Sequence, residues 1–321
     1  MHQITNETTR IGGFDFAAAA PRSQWVEVNQ ALESLEQAKT ALRAMGKYVP
    51  MDLVRLLYQT RTDPVLGGTL SELTMMFTDI SNFTTLGEQM SPNDLAHFLG
   101  LYLEAMARPI HDTEGNIDKF IGDAVMAIWN APSAVADHPL KACRAALACH
   151  ATLQALYASP AWQGRAPWHT RFGIHKDLVD VGHFGSPDRM SYTALGDGVN
   201  VASRLEGLNK QYGTTILVSE AVYESARHQF NFRRIDRVAV KGKTQGILVF
   251  ELLIERLPEG LVERYEDALA HYFDRQFQEA ITLLEGSPTD PPSQKLLARC
   301  RHLLEDPPPP DWNGTYVAVS K

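Results

Sequence analysis

The sequence predicts an α+β domain built on a largely antiparallel sheet, with helical segments added at both ends. Three observations carry that prediction. Apolar runs of strand length alternate with runs of helical periodicity; neighbouring strands are joined by short turns, as at Gly122-Asp123; and beyond Pro258 the chain becomes purely helical in character. A doubly wound parallel sheet would need a crossover of a dozen or more residues between paired strands, which the hairpins do not provide.

The chain has 321 residues, enough for one large or two modest domains. Residues 1–22 are polar and then Gly/Ala-rich up to Pro21, the composition of a disordered stretch or linker. Segment 23–69 reads as helical. From Ser23 to Met45, Trp25, Val28, Leu32, Leu35 and Leu42 recur at spacings of three and four, with Lys39 on the same seam. Two packings fit: a short parallel coiled coil conveying a signal from an upstream sensory domain or partner, or a helix packed on its own chain. Gly46 ends that helix, Pro50 begins a second one with Leu53, Leu56 and Leu57 on its apolar side, and Asp63-Pro64 with Gly67-Gly68 mark a domain boundary.

The main domain is read over 70–255. A strand, LTMMFTDI, delivers Asp79 at its end, and a hairpin, NIDKFIGDAVMAIW, carries Asp123 in its turn. Between them Ser91 is the N-cap and Pro92 the first residue of a helix whose Leu95, Phe98, Leu99, Tyr102, Leu103 and Met106 form one apolar face. An alanine-rich core helix follows from Asp137 to Tyr157, then short strands at 170–175, 179–184 and 190–195. Gly196 opens a helix that Gly213 closes, and a strand, a short helix and a long hairpin complete the domain. Segment 256–306 reads as helices with the alanine and aromatic spacing of one tetratricopeptide unit. A lone unit cannot bury its own face, so it is expected to dock on the main domain. Residues 307–321 form a proline-rich spacer and tail.

Lys plus Arg number 30 against 38 for Asp plus Glu, and this net charge of −8 does not favour nucleic acid. Cys143, Cys149 and Cys300 lack metal-ligand spacing and are odd in number, as in a reducing, cytoplasmic setting. No apolar run approaches the roughly 20 residues that span a bilayer, and the start MHQITNETTR lacks the regions of a signal peptide.

Chemistry concentrates on the two aspartates. Singly, each has a plain reading, Asp79 as a helix N-cap and Asp123 as a turn residue. Brought together by strand, helix and hairpin, they would repel unless a cation sat between them. A magnesium ion suits such a place, since it binds through one or two carboxylates plus substrate phosphates. After Asp79 comes Ile80-Ser81-Asn82-Phe83-Thr84, a strand-to-helix turn whose amides are expected to cradle a polyphosphate. Lys119 lies in the hairpin's first strand, Asn200 and Arg204 share a helix face, Thr193 lies on the strand before that helix, and Lys241 lies in the last hairpin.

FTDISNFT, NIDKFIGDAVMAIW, SYTALGDGVNVASRLE and VAVKGK, in this order, resemble the catalytic domain of the class III nucleotidyl cyclases, over about Leu70–Leu253. The resemblance implies a ferredoxin-like βαββαβ fold, active as a head-to-tail homodimer with ATP bound between subunits. It implies that Asp79, Asp123 and the Ile80 carbonyl of one subunit bind two Mg²⁺ or Mn²⁺ ions. Lys119 and Thr193 of the other would read the base, Asn200 would orient the ribose, Arg204 would stabilise the transition state and Lys241 would hold the triphosphate. The lysine and threonine match the threonine-bearing subclass, which includes bicarbonate-responsive members. Adenine offers an N6 donor and an N1 acceptor, which a threonine oxygen and a lysine ammonium satisfy; guanine offers the reverse and calls for a carboxylate where Lys119 stands. The expected reaction is therefore ATP to cyclic AMP, with a guanylyl cyclase or a catalytically silent nucleotide-binding dimer as alternatives. One departure favours the silent form: Asp177 stands where the family has glycine, in an expected turn, and Asp180 falls inside an apolar strand.

Overall fold

The computed structural model describes residues 2–17, 19, 21–46, 48–239, 246–310 and 312–315, with backbone alone at 2, 3 and 51, and divides into two compact units that meet in sequence at Val65 and Leu66. The first unit holds three helices, α1 (His2–Gly12), α2 (Val26–Met45) and α3 (Met51–Thr60). Helix α1 corrects the expectation of disorder in 1–22. Its Glu7 is 2% exposed and faces Lys39 of α2, fully buried, whose ammonium donates to Glu7 Oε2 at 3.1 Å and Glu36 Oε2 at 2.9 Å. A buried lysine needs such partners, and α1 supplies one of them. Of the seam read from the sequence, Leu32 and Lys39 are therefore buried within one chain, whereas Trp25 is 71% exposed.

The second unit opens with β1 (Gly67–Ile80), which takes in the Gly67-Gly68 pair expected to precede it. Then follow α4 (Phe83–Glu88), α5 (Pro92–Asp112), β2 (Asn116–Ile121), β3 (Ala124–Trp129), α6 (His138–Ala158), β4 (Thr170–Ser186), β5 (Arg189–Leu195), α7 (Asp197–Tyr212), β6 (Ile216–Ser219), α8 (Glu220–Ala226), β7 (Phe232–Val238) and β8 (Ile247–Leu252), and last α9 (Leu261–Phe273), α10 (Phe277–Leu284) and α11 (Pro291–Glu305). The strands form one sheet in the order β2-β3-β1-β4-β6-β8-β7, with β5 paired to the far half of β4. Every pairing is antiparallel except that of β4 with β6, so the predicted α+β class holds. Ser91 caps α5 as read, accepting the Asp94 amide at 3.1 Å.

Strand β4 departs from the sequence expectation. Two strands separated by a turn at Asp177 were expected; β4 instead runs unbroken and pairs with β1 from Thr170 opposite Ile80 to His183 opposite Gly67. Asp177 is extended, and its Oδ1 accepts the Leu178 amide at 2.9 Å. Asp180 is half-buried beside Gly68, where an added Cβ would come within 2.4 Å of its Oδ1. The carboxylate thus occupies room that a missing side chain leaves, and the desolvation penalty expected for a fully enclosed aspartate is relieved.

Helices α5, α6 and α8 cover one face of the sheet, packing Phe98, Tyr102, Met106, Cys143, Cys149 and Val222 on Met76, Ala127, Ile174 and Val218. Helix α7 covers the other face, held close because Gly173 of β4 has no side chain: a Cβ there would lie 2.1 Å from the Glu206 amide nitrogen. Beside α7, helices α9–α11 bury Tyr265, Leu269, Tyr272, Phe277, Ile281 and Leu296 on α7, β6, β7 and β8. The exposed edge of β7 is closed by α9, where Glu266 accepts the Arg234 amide at 2.8 Å and the Tyr265 hydroxyl donates to the Ile235 carbonyl at 2.8 Å. Two buried ion clusters complete the junction. Arg233 of β7 bonds both oxygens of Asp290 at 2.9 Å and Glu251 at 2.6 Å, and Asp236 accepts from Arg299 and from the Tyr212 hydroxyl, each at 2.6 Å. The proline spacer turns back as well, with Trp312 edge-on to Tyr272 at 5.2 Å and Arg275 bonded to the carbonyls of Pro308, Pro309 and Pro310.

Candidate active site

Strand β1 ends at Ile80, and the β2–β3 turn lies beside it. Gly122 takes a φ of +66°, a conformation that costs glycine little, and the tight turn it permits projects Asp123 back over β1. There Asp123 Oδ2 accepts the Ile80 amide at 3.0 Å, which fixes the hairpin tip to the end of β1. The Asp123 carboxyl is held above its usual range, first by burial and then by the neighbouring charge of Asp79, against the lowering effect of the Ile80 amide. The two carboxylates expected to meet do so.

Arg171, at the start of β4 opposite Asp79, donates to Asp79 Oδ2 at 2.6 Å, and its Nε lies 2.8 Å from Glu206 Oε1 of α7. One cation thus joins the carboxylate pair to the helix carrying Asn200 and Arg204. Glu206 is pushed up to about 7, chiefly by burial and also by the charges of Asp79 and Asp123, with Arg171 opposing. Its raised value has a consequence for the metal-free protein. The folded chain holds a proton that the unfolded chain releases near 4.5, so stability falls as pH rises from about 4.5 to about 7. Thermal melts across that window are expected to show this slope in the parent chain and a flatter profile in Glu206→Gln.

Among the described residues, no three His, Cys, Asp or Glu side chains converge as a ready-made metal cage. The residues nonetheless fit a hard divalent cation. Two adjoining carboxylates, one of them held above its normal pKa by burial and by the charge of the other, leave the rest of a coordination shell to substrate oxygens, as magnesium sites do. Ile80, whose carbonyl is the third expected ligand, is anchored between them by its amide.

The expected phosphate cradle is narrower than read. The Ile80 amide is used by Asp123 and the Ser81 amide by the His169 carbonyl at 2.8 Å. Asn82, at φ +59°, is the N-cap residue of α4, so the amides left without an intrahelical partner are those of its first turn, from Phe83 and Thr84 onward. The Phe83 ring packs edge-on to Trp168 at 6.0 Å, a core contact.

A second cluster forms on β2 and β5. Lys119 Nζ donates to Thr193 Oγ1 at 3.2 Å, the convergence the sequence required of these two residues. Asp118 joins them: the Thr193 hydroxyl donates to its Oδ2, and its Oδ1 lies 3.3 Å from Lys119 Nζ. Strand alternation would send Asp118 and Lys119 to opposite faces, but the β2–β3 register slips between Ile117 and Lys119, and this irregularity lets both reach Thr193. The Asp118 side chain is 1% exposed. Burial raises its pKa, while the Thr193 hydroxyl, Lys119 and the Ala194 amide work to keep it ionised.

On α7, Asn200 is exposed and Arg204 is half-buried, with Nη1 buried and without a hydrogen-bond partner among the described residues. A guanidinium with an unused donor is suited to an anion. Lys241 lies outside the described residues. Sequence reading missed Asp118, Arg171 and Glu206. Arg171 had a signal, a charge inside the otherwise apolar RFGI run; Asp118 had none, because the register slip that aims it is a pairing property.

A mixed sheet carries paired aspartates at one strand end and a lysine–threonine pair on β2 and β5, the residues by which the chain resembles a class III nucleotidyl cyclase catalytic domain. Residues 68–253 match the Adenylate and Guanylate cyclase catalytic domain family, and the chain belongs to it. It is similar to Adenylate cyclase 1 of Rhizobium meliloti, 36% identical over 254 residues that make up 79% of this chain; the chain spans only 38% of that relative's length. Its fold resembles the adenylyl cyclase CyaB from P. aeruginosa, with a TM-score of 0.52 at 30% identity over 60% of this chain and 98% of that one. It also resembles the guanylyl cyclase Cya2, with a TM-score of 0.54 at 26% identity over 61% of this chain and 99% of that one. Among the described residues no helix is long and apolar enough to cross a membrane.

Proposed function

We propose that this chain is a cytoplasmic adenylyl cyclase that converts ATP to 3′,5′-cyclic AMP and pyrophosphate at sites shared between two copies of itself. Fold likeness extends to adenylyl and guanylyl cyclases alike, so the base must be argued from the pocket. The observation that carries the proposal is the bond from Lys119 to Thr193: an ammonium donor beside a hydroxyl oxygen complements N1 and N6 of adenine. The active reading is favoured over the silent one by β4, which runs through Asp177 and Asp180 without a break.

In this reading Asp79, Asp123 and the Ile80 carbonyl hold two Mg²⁺ or Mn²⁺ ions. Such ions, when bound, acidify the ribose 3′-hydroxyl and neutralise phosphate oxygens. The protein's own task is positioning and charge stabilisation. Asn200 orients the ribose, and Arg204 turns its unused Nη1 donor to the charge that develops on the α-phosphate. Arg171 adds positive charge for the triphosphate, a task the resemblance also gives to Lys241. The 3′-hydroxyl proton passes to the Asp79 carboxylate or to water.

Shared sites are supported by apolar side chains left in solvent beside both clusters. Phe120 and Ile121 on β2 are 47% and 53% exposed, and Leu70, Leu178 and Leu195, neighbours on β1, β4 and β5, are 70%, 58% and 49% exposed. A second copy is the natural cover for such a patch. An upstream sensory domain or partner would act through the helices before Val65; removing residues 1–46 without changing rate or oligomeric state would count against that role.

Purified chain given Mn²⁺ and ATP is expected to release cyclic AMP and pyrophosphate, with GTP turned over poorly. Arg204→Ala is expected to lower kcat about 10²–10³-fold, the usual loss on removing one transition-state donor. Equal turnover of GTP, or no cyclic nucleotide from either substrate, would overturn the assignment.

A further inference from the structure

We infer that Asp118 sets which purine is accepted, by fixing the direction of the Thr193 hydroxyl. The inference rests on the adenylyl cyclase reading and deepens it. A threonine side chain has one proton and two lone pairs, and is by itself ambiguous: it can donate to the O6 of guanine as readily as accept from the N6 of adenine. Here the ambiguity is removed. The Thr193 proton is given to Asp118 Oδ2, and one lone pair accepts from Lys119 Nζ at 3.2 Å. What remains is a single lone pair, able only to accept.

The same count applies to Lys119. Of its three protons one goes to Thr193, and the ammonium lies 3.3 Å from Asp118 Oδ1 as an ion pair, so it keeps a donor for the base. The pair therefore presents one acceptor and one donor, matching N6 and N1 of adenine. Guanine would set O6 against a lone pair and its N1 proton against an ammonium. Asp118, its side chain 1% exposed, is a positioning residue that acts through the Thr193 hydroxyl without touching the base. An ionised carboxylate only accepts, so it cannot let the hydroxyl reverse.

The experiment compares kcat/KM for ATP and GTP in the parent chain, Asp118→Asn and Asp118→Ala, and repeats Asp118→Asn in a Thr193→Val background. Asparagine keeps the size but can donate through its amide, freeing the hydroxyl proton. The ATP-over-GTP ratio is expected to fall at least about tenfold in both single variants, the scale of one hydrogen bond. With Thr193→Val in place, Asp118→Asn should leave the ratio where it stands. A merely structural role for Asp118 would lower both substrates together and persist in the valine background. Calorimetric binding of ATP and of GTP to the Mn²⁺-loaded protein gives the same ratio without turnover. A parent chain that prefers ATP, with variants that keep its ratio by either measure, overturns the role of Asp118 alone; a parent chain with no preference for ATP overturns the functional reading beneath it.

Discussion

Asp123→Asn is expected to lower cyclic AMP formation by about 10³-fold or more, at or beyond the upper range for losing one electrostatic group of an active site, while the protein melts no lower than its parent. The two halves of this result come from the same geometry. Asparagine retains an oxygen for the Ile80 amide, so the hairpin tip stays fixed to β1. What it removes is a charge that the fold disfavours, because burial and Asp79 both hold the Asp123 carboxyl above its usual range. A folded pKa above the unfolded one means that ionisation at neutral pH opposes folding, so the neutral isostere should hold or raise the melting temperature. Loss of function with retained or increased stability marks a residue kept for chemistry. Manganese binding followed by calorimetry should weaken in step with turnover. An Asp123→Asn protein with undiminished rate would remove the carboxylate pair from the mechanism.

The largest effect on stability is expected from Arg233→Ala, at about 3–5 kcal/mol, as for other buried ion clusters stripped of one partner. Arg233 is 2% exposed, and its guanidinium spans Asp290 at the start of α11 and Glu251 on β8. Without it two carboxylates face each other in the junction between the sheet and α9–α11. Glu251 already has a raised pKa, first from burial and also from Asp290, with Arg233 opposing. Removing the cation lifts it further, so the folded variant would favour a protonated Glu251 and its stability would fall as pH rises through that higher value. Melts of the variant should therefore lie further below the parent at pH 8 than at pH 5. Arg233→Lys should fall between the two, because an ammonium cannot serve Asp290 and Glu251 together as Nη1, Nε and Nη2 of the guanidinium do. Parent-like melting in Arg233→Ala would mean that the junction is held by apolar contacts alone.

The course of α5 was legible to the residue, since a Ser N-cap, a Pro at the first position and a 3.6-residue apolar period are local facts. So was the tight β2–β3 turn, from Gly122-Asp123. Strand β4 was misread at Asp177, because an acidic residue in a short run looks like a turn; its pairing with β1 along the whole of that strand overrides the local preference. Helix α1 was missed for a similar reason. Its polar composition resembles disorder, and the buried pair of Lys39 and Glu7 that ties it to α2 is made only in the fold.

Sequence alone determined the sheet class and singled out the two acidic residues, and its resemblance to the cyclase motifs pointed to the lysine, threonine, asparagine and arginine set, because ordered motifs and side-chain periodicity are properties of a single stretch of chain. Tertiary structure decided the counter-charges. That Arg171 neutralises Asp79 and that Asp118 accepts the Thr193 hydroxyl follow from how the strands lie in the sheet, and that α9–α11 are pinned by Arg233 and Arg299 follows from how those helices dock on it. Electrostatic partners are chosen by distance in space, and strand register and helix docking set those distances.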